Sequence, residues 1–342
     1  MKPELNREYP ELDDTNVFQH MINVTTALMK PVDGNFHRGQ HAKTTGCVTA
    51  EFRIADDIPS DLRHGIFRQP GRTFSAIVRF SNAPGKFEKD GVGTARGLAI
   101  KLLDVAGARA VPDDGDTTQD FLMVNHPVFP FPNPKAYVET MSRKSIPLIG
   151  DVVAIAHLAL LEPAELKVVK EIKDKHVSSP LGISYWSGSP YWLGPAVREG
   201  GHAVKYSAVP RPVEPGGPDH PEELPDDYLT RALAAGLQSS EAVFDFKVQL
   251  QTDPEAMPVE DVSVYWDEGE KRGSPPKTVA TLRIPRQKVD PDGDLARKCE
   301  SISFNPWHAL AEHRPIGGMN RLRKVVYQAS ITKRGGNGNL AG

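Results

Sequence analysis

Two residues near the C-terminus have the types and the spacing for metal chemistry. Arg323 and Tyr327 are four positions apart within 319–329, a stretch whose apolar pattern predicts a helix, so both side chains lie on one face. A phenol loses its proton only at about pH 10 in water, and an adjacent guanidinium or a bound ferric ion favours the anion. The pair can therefore supply a phenolate ligand to iron. By itself, the same spacing is more typical of an ordinary amphipathic helix with a buried tyrosine.

A residue near the N-terminus suits proton transfer. The imidazole of His41 has a reference pKa of about 6.5, so its neutral form can take up and return a proton near neutral pH. A side chain of this kind can act as a general acid/base and move a proton between two atoms of a substrate. A lone histidine is more often structural, so this role depends on other fragments of the chain.

The segments that follow His41 are predicted to be short antiparallel strands. They alternate apolar and polar residues and are separated by Gly, Pro and Asp turns, which is typical of an antiparallel sheet or barrel. The first strands are expected at 46–54, 74–80, 97–103 and 121–124, and two more at 242–251 and 278–284. We expect surface loops at 105–118 and 208–225.

Helices are predicted on either side of these strands. Apolar positions recur at helical spacing in 16–30, in 134–175, most clearly at 164–173, and from about residue 303 onward. The sequence has no internal repeat and no linker between independent domains. It therefore predicts an α+β fold with a β-rich core and helical insertions. We expect one domain over 1–342, with its core at 15–335 and a tail at 336–342.

The composition argues against several functional classes. The chain has 342 residues, of which 39% are apolar, and a net charge of -3 without a basic stretch, so nucleic acid is not an expected partner. No apolar run reaches the ~18 residues that a membrane helix needs. The N-terminus lacks the apolar core of a secretory signal, so we expect a cytoplasmic protein, with a processed periplasmic form as the alternative. Cys47 and Cys299 are expected to be small buried apolar residues rather than a disulfide framework.

In their order along the chain, these fragments resemble the haem-binding core of the catalase family. The resemblance covers roughly residues 15–335 and implies a catalase-like antiparallel barrel that binds haem b, iron protoporphyrin IX. Tyr327 would be the axial iron ligand on a C-terminal proximal helix, a ligand type known from catalase. The fragments that carry it are Arg38-x-x-His41-Ala-Lys, Val-Arg79-Phe-Ser81, Arg96-Gly-x-Ala-x-Lys, the run 120–129 and Arg323-x-x-x-Tyr327.

The resemblance also implies a role for each candidate residue. His41 would be the distal acid/base, oriented by Ser81, and Asn125 would donate an amide N–H to the bound peroxide. Phe129 would pack against the porphyrin face. Guanidinium groups suit carboxylates, and Arg323 would accompany the proximal tyrosine. The candidate ligands of the haem propionates are Arg38, Arg79 and Arg334.

Two positions depart from the family's pattern. The family usually has two adjacent asparagines, whereas this chain has Val124-Asn125-His126-Pro127, and an ungapped match puts Asn125 on the second asparagine rather than on the catalytic first one. Gln40 precedes the histidine, where catalases usually carry Val and allene oxide synthases carry Thr. It therefore stays open whether Asn125 points at the iron, and how Gln40 affects the handling of a second peroxide.

The chain is shorter than a typical catalase, which implies a minimal protein with a more open pocket. The resemblance predicts a catalase-related haem peroxidase that reduces hydrogen peroxide or organic hydroperoxides with an organic electron donor, through a ferryl-oxo intermediate, in the response to oxidative stress. The alternatives are hydrogen peroxide dismutation, isomerisation of fatty-acid hydroperoxides as in allene oxide synthase, and a non-catalytic haem or lipid carrier. The expected partners are a small hydroperoxide, an organic reductant and, as an option, further copies of the chain.

Overall fold

The computed structural model describes residues 3–10, 14–32, 34–112, 117–146, 149–196, 200–212, 217–269 and 273–335. The predicted tail at 336–342 lies outside the described residues. So do positions 113–116 and 213–216 of the two predicted loops.

A closed antiparallel β-barrel forms the centre of the molecule. The described strands are β1 (Pro31–Val32), β2 (Asn35–Phe36), β3 (Thr44–Ile54), β4 (Thr73–Asn82), β5 (Arg96–Leu102), β6 (Gln119–Val124), β7 (Tyr185–Trp186), β8 (Tyr191–Leu193), β9 (His202–Arg211), β10 (Ala242–Leu250) and β11 (Lys277–Ile284). Neighbouring strands follow the order β10-β11-β3-β4-β5-β6-β7-β9, and pairing of β9 with β10 closes the ring. β8 extends the sheet beside β9, and β1 pairs with β2 separately. The predicted barrel is confirmed.

Strand register brings the N-terminal candidate residues to one end of the barrel. Thr44 on β3 pairs with Ser81 on β4, Ser81 pairs with Gly97 on β5, and Gly97 pairs with Val124 on β6. His41 lies three residues before β3 and Asn125 directly follows β6. Because neighbouring antiparallel strands begin and end at the same edge, His41, Ser81 and Asn125 share that end of the barrel.

Aromatic side chains fill the barrel, so it is a packed scaffold. The rings of Phe121 and Phe246 have centroids 4.8 Å apart, those of Phe52 and Phe246 5.0 Å, and those of Phe121 and Tyr206 5.1 Å. All four residues are fully buried. A densely packed core holds the strand ends, and the residues on them, in fixed positions.

Helices carry the second half of the candidate residues. The described helices are α1 (Asp14–Leu28), α2 (Pro134–Lys144), α3 (Gly150–Leu161), α4 (Pro163–Lys173), α5 (Tyr228–Ser239), α6 (Asp294–Ser301) and α7 (Gly318–Lys333). α1, α2 and α7 enclose an apolar cluster that includes Met21, Val138 and Leu322. This cluster anchors α7, which carries Arg323 and Tyr327.

The predicted strands and helices are present, and the structure has further elements that were not predicted: β1, β2, β7, β8, the first part of β9, α5 and α6. The predicted loop over 208–225 is wrong at its start, because β9 continues through Arg211 and pairs with β10. Proline residues within and after that strand gave it the composition of a loop. α5 has no counterpart in the prediction, and α6 lies before residue 303, where the predicted helical region began. The helix of that region, α7, begins only at Gly318.

The expectation for the two cysteines is wrong in one respect. Cys47 on β3 and Cys299 on α6 are buried, as expected, but they are bonded to each other across 252 positions of sequence. The disulfide ties α6 to the barrel. The sequence carries no sign of the pairing, because it does not show that α6 packs against β3.

Candidate active site

His41 has an unusual backbone conformation just before β3. Its φ is +55°, in the left-handed region that residues with a side chain rarely adopt. Two hydrogen bonds hold it there: the His41 N–H donates to the Ala83 carbonyl at 2.8 Å, and the His41 carbonyl accepts from Arg79 Nη2 at 2.8 Å. Strained conformations persist where surrounding contacts enforce them, and they concentrate at functional sites.

The imidazole of His41 lies against β4 and β5. Its Nδ1 is 3.0 Å from Ser81 Oγ, the contact that the family resemblance implies. Gly97 faces the ring so closely that a Cβ atom there would lie 2.6 Å from Nδ1. In the described part of the chain Nε2 has no hydrogen-bond partner. Ser81 and Gly97 therefore set the orientation of the ring, and Nε2 is the nitrogen available to a ligand.

The surroundings of His41 keep its ring neutral. His41 is only half-buried by surface area, but the protein around the ring is dense, and loss of hydration is the main reason that its pKa falls to about 3. The positive charges of Arg79, Arg323 and Arg38 contribute in that order. A neutral imidazole can act as a base, and this histidine is in its unprotonated form at neutral pH.

Asn125 is fixed to the strand that faces His41. Its Oδ1 accepts from the Arg96 N–H at 2.7 Å, and its own N–H donates to the Arg96 carbonyl at 3.0 Å. Lys175 Nζ donates to the Asn125 carbonyl at 2.8 Å. Its Nδ2 has no hydrogen-bond partner among the described residues. Because Arg96 precedes the glycine that touches the His41 ring, the structure brings Asn125 and His41 together around the start of β5.

Three arginines from distant parts of the chain converge on Glu300. Arg38 Nη1 donates to Glu300 Oε2 at 2.5 Å, Arg79 Nη2 lies 3.6 Å from Oε1, and Arg334 Nη1 donates to the Glu300 carbonyl at 3.2 Å. The hydroxyl of Thr44 also donates to the Glu300 carboxylate. We call Arg38, Arg79, Arg334 and Glu300 the arginine cluster.

The arginine cluster has a surplus of positive charge. Its three guanidinium groups face one carboxylate, which leaves a net charge of about +2 at neutral pH. Burial is the main reason that the pKa of Arg79 falls to about 9 and that of Arg334 to about 10, and the charge of Arg38 adds to both. The Nε atoms of Arg79 and Arg334 are buried and have no hydrogen-bond partner among the residues that the structure describes. Such a group is suited to bind a dianion.

Arg323 and Tyr327 share one face of α7, as predicted. Arg323 Nη2 donates to Tyr327 Oη at 3.4 Å, while Nη1 donates to Asn320 Oδ1 at 3.0 Å and to Ser189 Oγ at 3.3 Å. Burial lowers the pKa of Arg323, but the phenols of Tyr327 and Tyr191 outweigh it, and the pKa is raised. None of these hydrogen-bond partners is a carboxylate. The guanidinium is therefore placed to stabilise negative charge on the Tyr327 oxygen.

Helix α7 joins the two groups of residues. Arg323 is near enough to His41 for its charge to lower the pKa of the imidazole. Further along the helix, Ser330 Oγ accepts from the Gly39 N–H at 3.3 Å, and Arg334, just past the helix end, reaches the arginine cluster. The residues predicted near the N-terminus and those predicted near the C-terminus therefore surround one region of the molecule.

Known proteins share this architecture. No family model matches the chain. A relative from Mycolicibacterium paratuberculosis, named catalase-related peroxidase, is 26% identical over 271 residues, which cover 78% of this chain and 80% of the relative. Catalase A from Saccharomyces cerevisiae superposes on 98% of this chain with a TM-score of 0.70 and 18% identity. A bacterial catalase superposes on 98% of this chain with a TM-score of 0.70 and 15% identity. A fungal catalase superposes on 97% with a TM-score of 0.68 and 18% identity.

The chain has the fold of the catalases, and its sequence is similar to that of a catalase-related peroxidase. The resemblance inferred from the ordered fragments is thereby confirmed, as is the α+β catalase-like fold. The chain spans 66%, 68% and 68% of the lengths of the fungal, bacterial and yeast catalases. Within the described ranges, no helix is long and apolar enough to cross a lipid bilayer.

Phe129 packs among the helices rather than in the barrel. Its ring packs edge-on against Tyr137 and Phe131, with centroids 5.1 and 5.6 Å apart. It belongs to the apolar cluster of α1, α2 and α7, which also includes Val326, the neighbour of Tyr327. The structure therefore places Phe129 in the cluster that supports the proximal helix, and its contact with a porphyrin stays a prediction.

Two histidines in the segment before α7 have structural partners. His308 Nδ1 is 3.3 Å from Asp120 Oδ2, and His313 lies between Tyr206 Oη and the Ile66 N–H, each at 3.0 Å. In the part of the chain that the structure describes, no group of three or more His, Cys, Asp and Glu side chains is arranged to hold a metal ion. These contacts fix the segment that leads into α7.

Sequence analysis missed three residues of the site: Glu300, Ser189 and Asn320. Glu300 lies on α6, which was not predicted, and it meets arginines that are up to 262 positions away in sequence. Ser189 and Asn320 are 131 positions apart and of common types. The one usable signal was Asn320, because it precedes Arg323 by three positions and so shares its helix face.

Proposed function

We propose that the chain is a haem-dependent peroxidase that reduces hydrogen peroxide or organic hydroperoxides with an organic electron donor. The observation that supports this best is the presence, in one catalase-fold chain, of a neutral His41 at the barrel end and an Arg323–Tyr327 pair on the adjoining helix. A carrier would need no proton shuttle. The name of the curated relative, catalase-related peroxidase, points to the same class of reaction.

The described residues fit haem b as the cofactor. The arginine cluster has two surplus positive charges, and two of its buried Nε atoms have no partner within the described ranges. Haem b carries two propionates. Arg38, Arg79 and Arg334 would hold these propionates, Tyr327 would ligate the iron, and Phe129 would pack against the ring. When bound, the haem supplies the redox centre that takes up the oxidising equivalents of the peroxide and passes them to the donor.

His41 handles the proton in this proposal. Its Nε2 takes the proton from the near oxygen of the hydroperoxide and returns it to the far oxygen, so that water or an alcohol leaves. The contact with Ser81 Oγ keeps Nδ1 occupied and the ring in position. The free Nδ2 of Asn125 donates a hydrogen bond to the bound peroxide. Because the pKa of His41 is about 3, the basic form is already present at neutral pH.

Arg323 and its neutral partners hold the proximal phenol. Asn320 is itself fixed, since its Nδ2 donates to the Pro190 carbonyl at 2.7 Å and to the Ile316 carbonyl at 3.0 Å. Asn320 in turn positions Arg323, and Arg323 positions Tyr327. The guanidinium charge offsets the negative charge that Tyr327 must carry as an iron ligand.

The test compares His41→Gln with His37→Gln in the haem-loaded protein. His37 is close in sequence and packs edge-on against Phe87 at 4.8 Å, outside the proposed chemistry. We expect hydroperoxide-dependent oxidation of a phenolic donor to fall by about 100-fold or more in His41→Gln and to stay near the parent rate in His37→Gln. Full activity in His41→Gln would contradict the proposal.

Product analysis in the same assay separates the alternatives. Oxygen release from hydrogen peroxide without donor would indicate dismutation. Conversion of a fatty-acid hydroperoxide without consumption of donor would indicate an isomerase, and haem uptake without any turnover would indicate a carrier. The haem type, the single domain over 1–342, the cytoplasmic location and assembly with further copies stay predictions.

A further inference from the structure

Glu300 has no part in the proposed peroxide chemistry, yet it lies at the centre of the arginine cluster. Its carboxylate accepts from Arg38 at 2.5 Å and from the Thr44 hydroxyl, and it is 3.6 Å from Arg79. Arg79 Nη2 also donates to Thr44 Oγ1 at 2.6 Å. These contacts use guanidinium N–H groups that a bound carboxylate would otherwise take. Glu300 therefore takes the place beside the arginines that a bound carboxylate would take.

The backbone around Glu300 makes it a fixed part of this site. Arg38 Nη2 donates to the carbonyl of Cys299 at 2.5 Å and to that of Ile302 at 3.1 Å, on either side of Glu300. Cys299 is bonded to Cys47 on β3. Helix α6 is thus tied to the barrel at the residue next to Glu300, so the carboxylate is held among the arginines by the fold.

We propose that Glu300 is a positioning residue that sets the charge of the cofactor site: an internal carboxylate that holds Arg38 and Arg79 in place and competes with the haem propionates for them. The inference rests on the proposed function, because it concerns the same haem site. It assigns a role to a residue outside the peroxide chemistry and the iron ligation.

The charges of the cluster support this role. Burial disfavours the ionised carboxyl, but Arg38, Arg79 and the Thr44 hydroxyl outweigh it, so the pKa of Glu300 is lowered and the group is an anion at neutral pH. With this charge the cluster carries a surplus of about two positive charges, equal to the two propionates of haem. Without it the surplus would be about three. The ionised Glu300 therefore repels the propionates, while it keeps the arginines ordered before haem binds.

The test measures the dissociation constants of two probes for the haem-free protein. Iron(III) protoporphyrin IX carries both carboxylates, whereas its dimethyl ester has the same ring and iron but no carboxylate charge. In Glu300→Gln we expect the diacid to bind roughly three- to tenfold more tightly and the ester to bind as in the parent chain. Glutamine keeps an oxygen that can accept from Arg38, so the variant removes charge rather than the contact.

A matched control is Glu241→Gln. Glu241 pairs with Arg283 at 2.7 Å, and its side chain is 46% exposed, close to the 42% of Glu300. We expect this variant to bind both probes as the parent chain does. Unchanged or weaker diacid binding in Glu300→Gln, or an equal change for diacid and ester, would overturn the inference. Failure of the parent chain to bind either probe would instead overturn the proposed function, and the inference with it.

Discussion

At the scale of single residues, the chemistry depends on how His41 is held. The ring is neutral because it is enclosed by protein and surrounded by arginine charges, and its direction is fixed by Ser81 and Gly97. None of these contacts touches a substrate, yet each determines where Nε2 points. Substitutions around the histidine should therefore change the reaction without removing any reacting group.

Gly97→Ala should impair the reaction with peroxide. The new Cβ would lie 2.6 Å from His41 Nδ1 and 2.7 Å from Ser81 Oγ, closer than real atoms approach, so the imidazole must move. A displacement of this size costs about 100-fold in rate when it misplaces a reacting group. Stopped-flow mixing of the haem-loaded variant with hydrogen peroxide measures that rate.

Gly236→Ala on α5 is the control for this substitution. There the new Cβ would meet only the end of the Leu181 side chain at 3.0 Å, which can shift. The parent rate is expected in this variant. An undiminished rate in Gly97→Ala would contradict the claim that the close approach of Gly97 positions His41.

The pH dependence of the peroxide reaction tests the neutral state of His41. With a pKa of about 3, the basic form predominates throughout the accessible range, so the rate constant should be constant between about pH 5 and 8. A base with an ordinary histidine pKa would lose about tenfold in rate for each pH unit below 6.5. A fall in rate with a midpoint near pH 6.5 would contradict a lowered pKa for this residue.

Residue types and their order were enough to select most of the candidate residues that the structure brings together. His41, Ser81 and Arg79 lie in short fragments with a clear chemical rationale, and the barrel register brings them together. Glu300 could not be predicted, because a single glutamate has no local pattern and its hydrogen-bond partner Arg38 is 262 positions away. The orientation of Asn125 also needed the structure, since its two hydrogen bonds to Arg96 decide which amide atom is free.

At the scale of elements, strands were predicted better than connections. The alternation of apolar and polar residues marks β3 to β6 because each strand packs one face against the filled barrel. β9 was partly misread as a loop because prolines 210 and 212 interrupt its pattern, although pairing with β10 continues past the first of them. α6 has only eight residues and a single buried side chain, that of Cys299, so it offers few apolar positions from which a helix could be predicted.

Removing the disulfide should loosen α6 from the barrel. We expect Cys47→Ala with Cys299→Ala to lower the unfolding free energy by about 3 kcal/mol, because the bond closes a long loop in the unfolded chain. Arg38 and Glu300 should lose order with α6, so haem should also dissociate faster. Calorimetry and haem transfer to apomyoglobin measure the two effects. An unchanged melting temperature in the double variant would contradict a stabilising role for this bond.

At the scale of the whole molecule, two histidines enclosed by protein should limit acid stability. Burial lowers the pKa values of both His41 and His313 to about 3. Between that value and about 6.5 the unfolded chain binds more protons than the folded one, so stability falls as the pH drops through this window. Each histidine contributes a slope of about 1.4 kcal/mol per pH unit.

His313→Gln should flatten this pH dependence. The variant removes one of the two titrating groups, although the lost contacts with Tyr206 and Ile66 make it less stable at neutral pH. Denaturant unfolding between pH 4 and 7 measures the slope. His220→Gln, at an exposed histidine whose side chain is 69% accessible, is the control and should keep the parent slope. An identical slope in His313→Gln would show that His313 is not held neutral.

The barrel and the α1–α2–α7 cluster support opposite parts of the site. The barrel fixes the His41 side, the helical cluster fixes the Tyr327 side, and α7 connects them to the arginine cluster. This arrangement can support the proposed reaction only if iron binds Tyr327. Ligation by this phenol is therefore the central claim.

The most direct measurement is the absorption and resonance Raman spectrum of the haem-loaded chain beside Tyr327→Phe and Tyr137→Phe. Tyr137 is a neighbouring enclosed phenol that packs against Phe129 and is not a proposed ligand, so it controls for the loss of a tyrosine. We predict a ferric phenolate signature in the parent chain and in Tyr137→Phe, and its loss in Tyr327→Phe. The same spectrum in Tyr327→Phe as in the parent chain would contradict ligation by Tyr327.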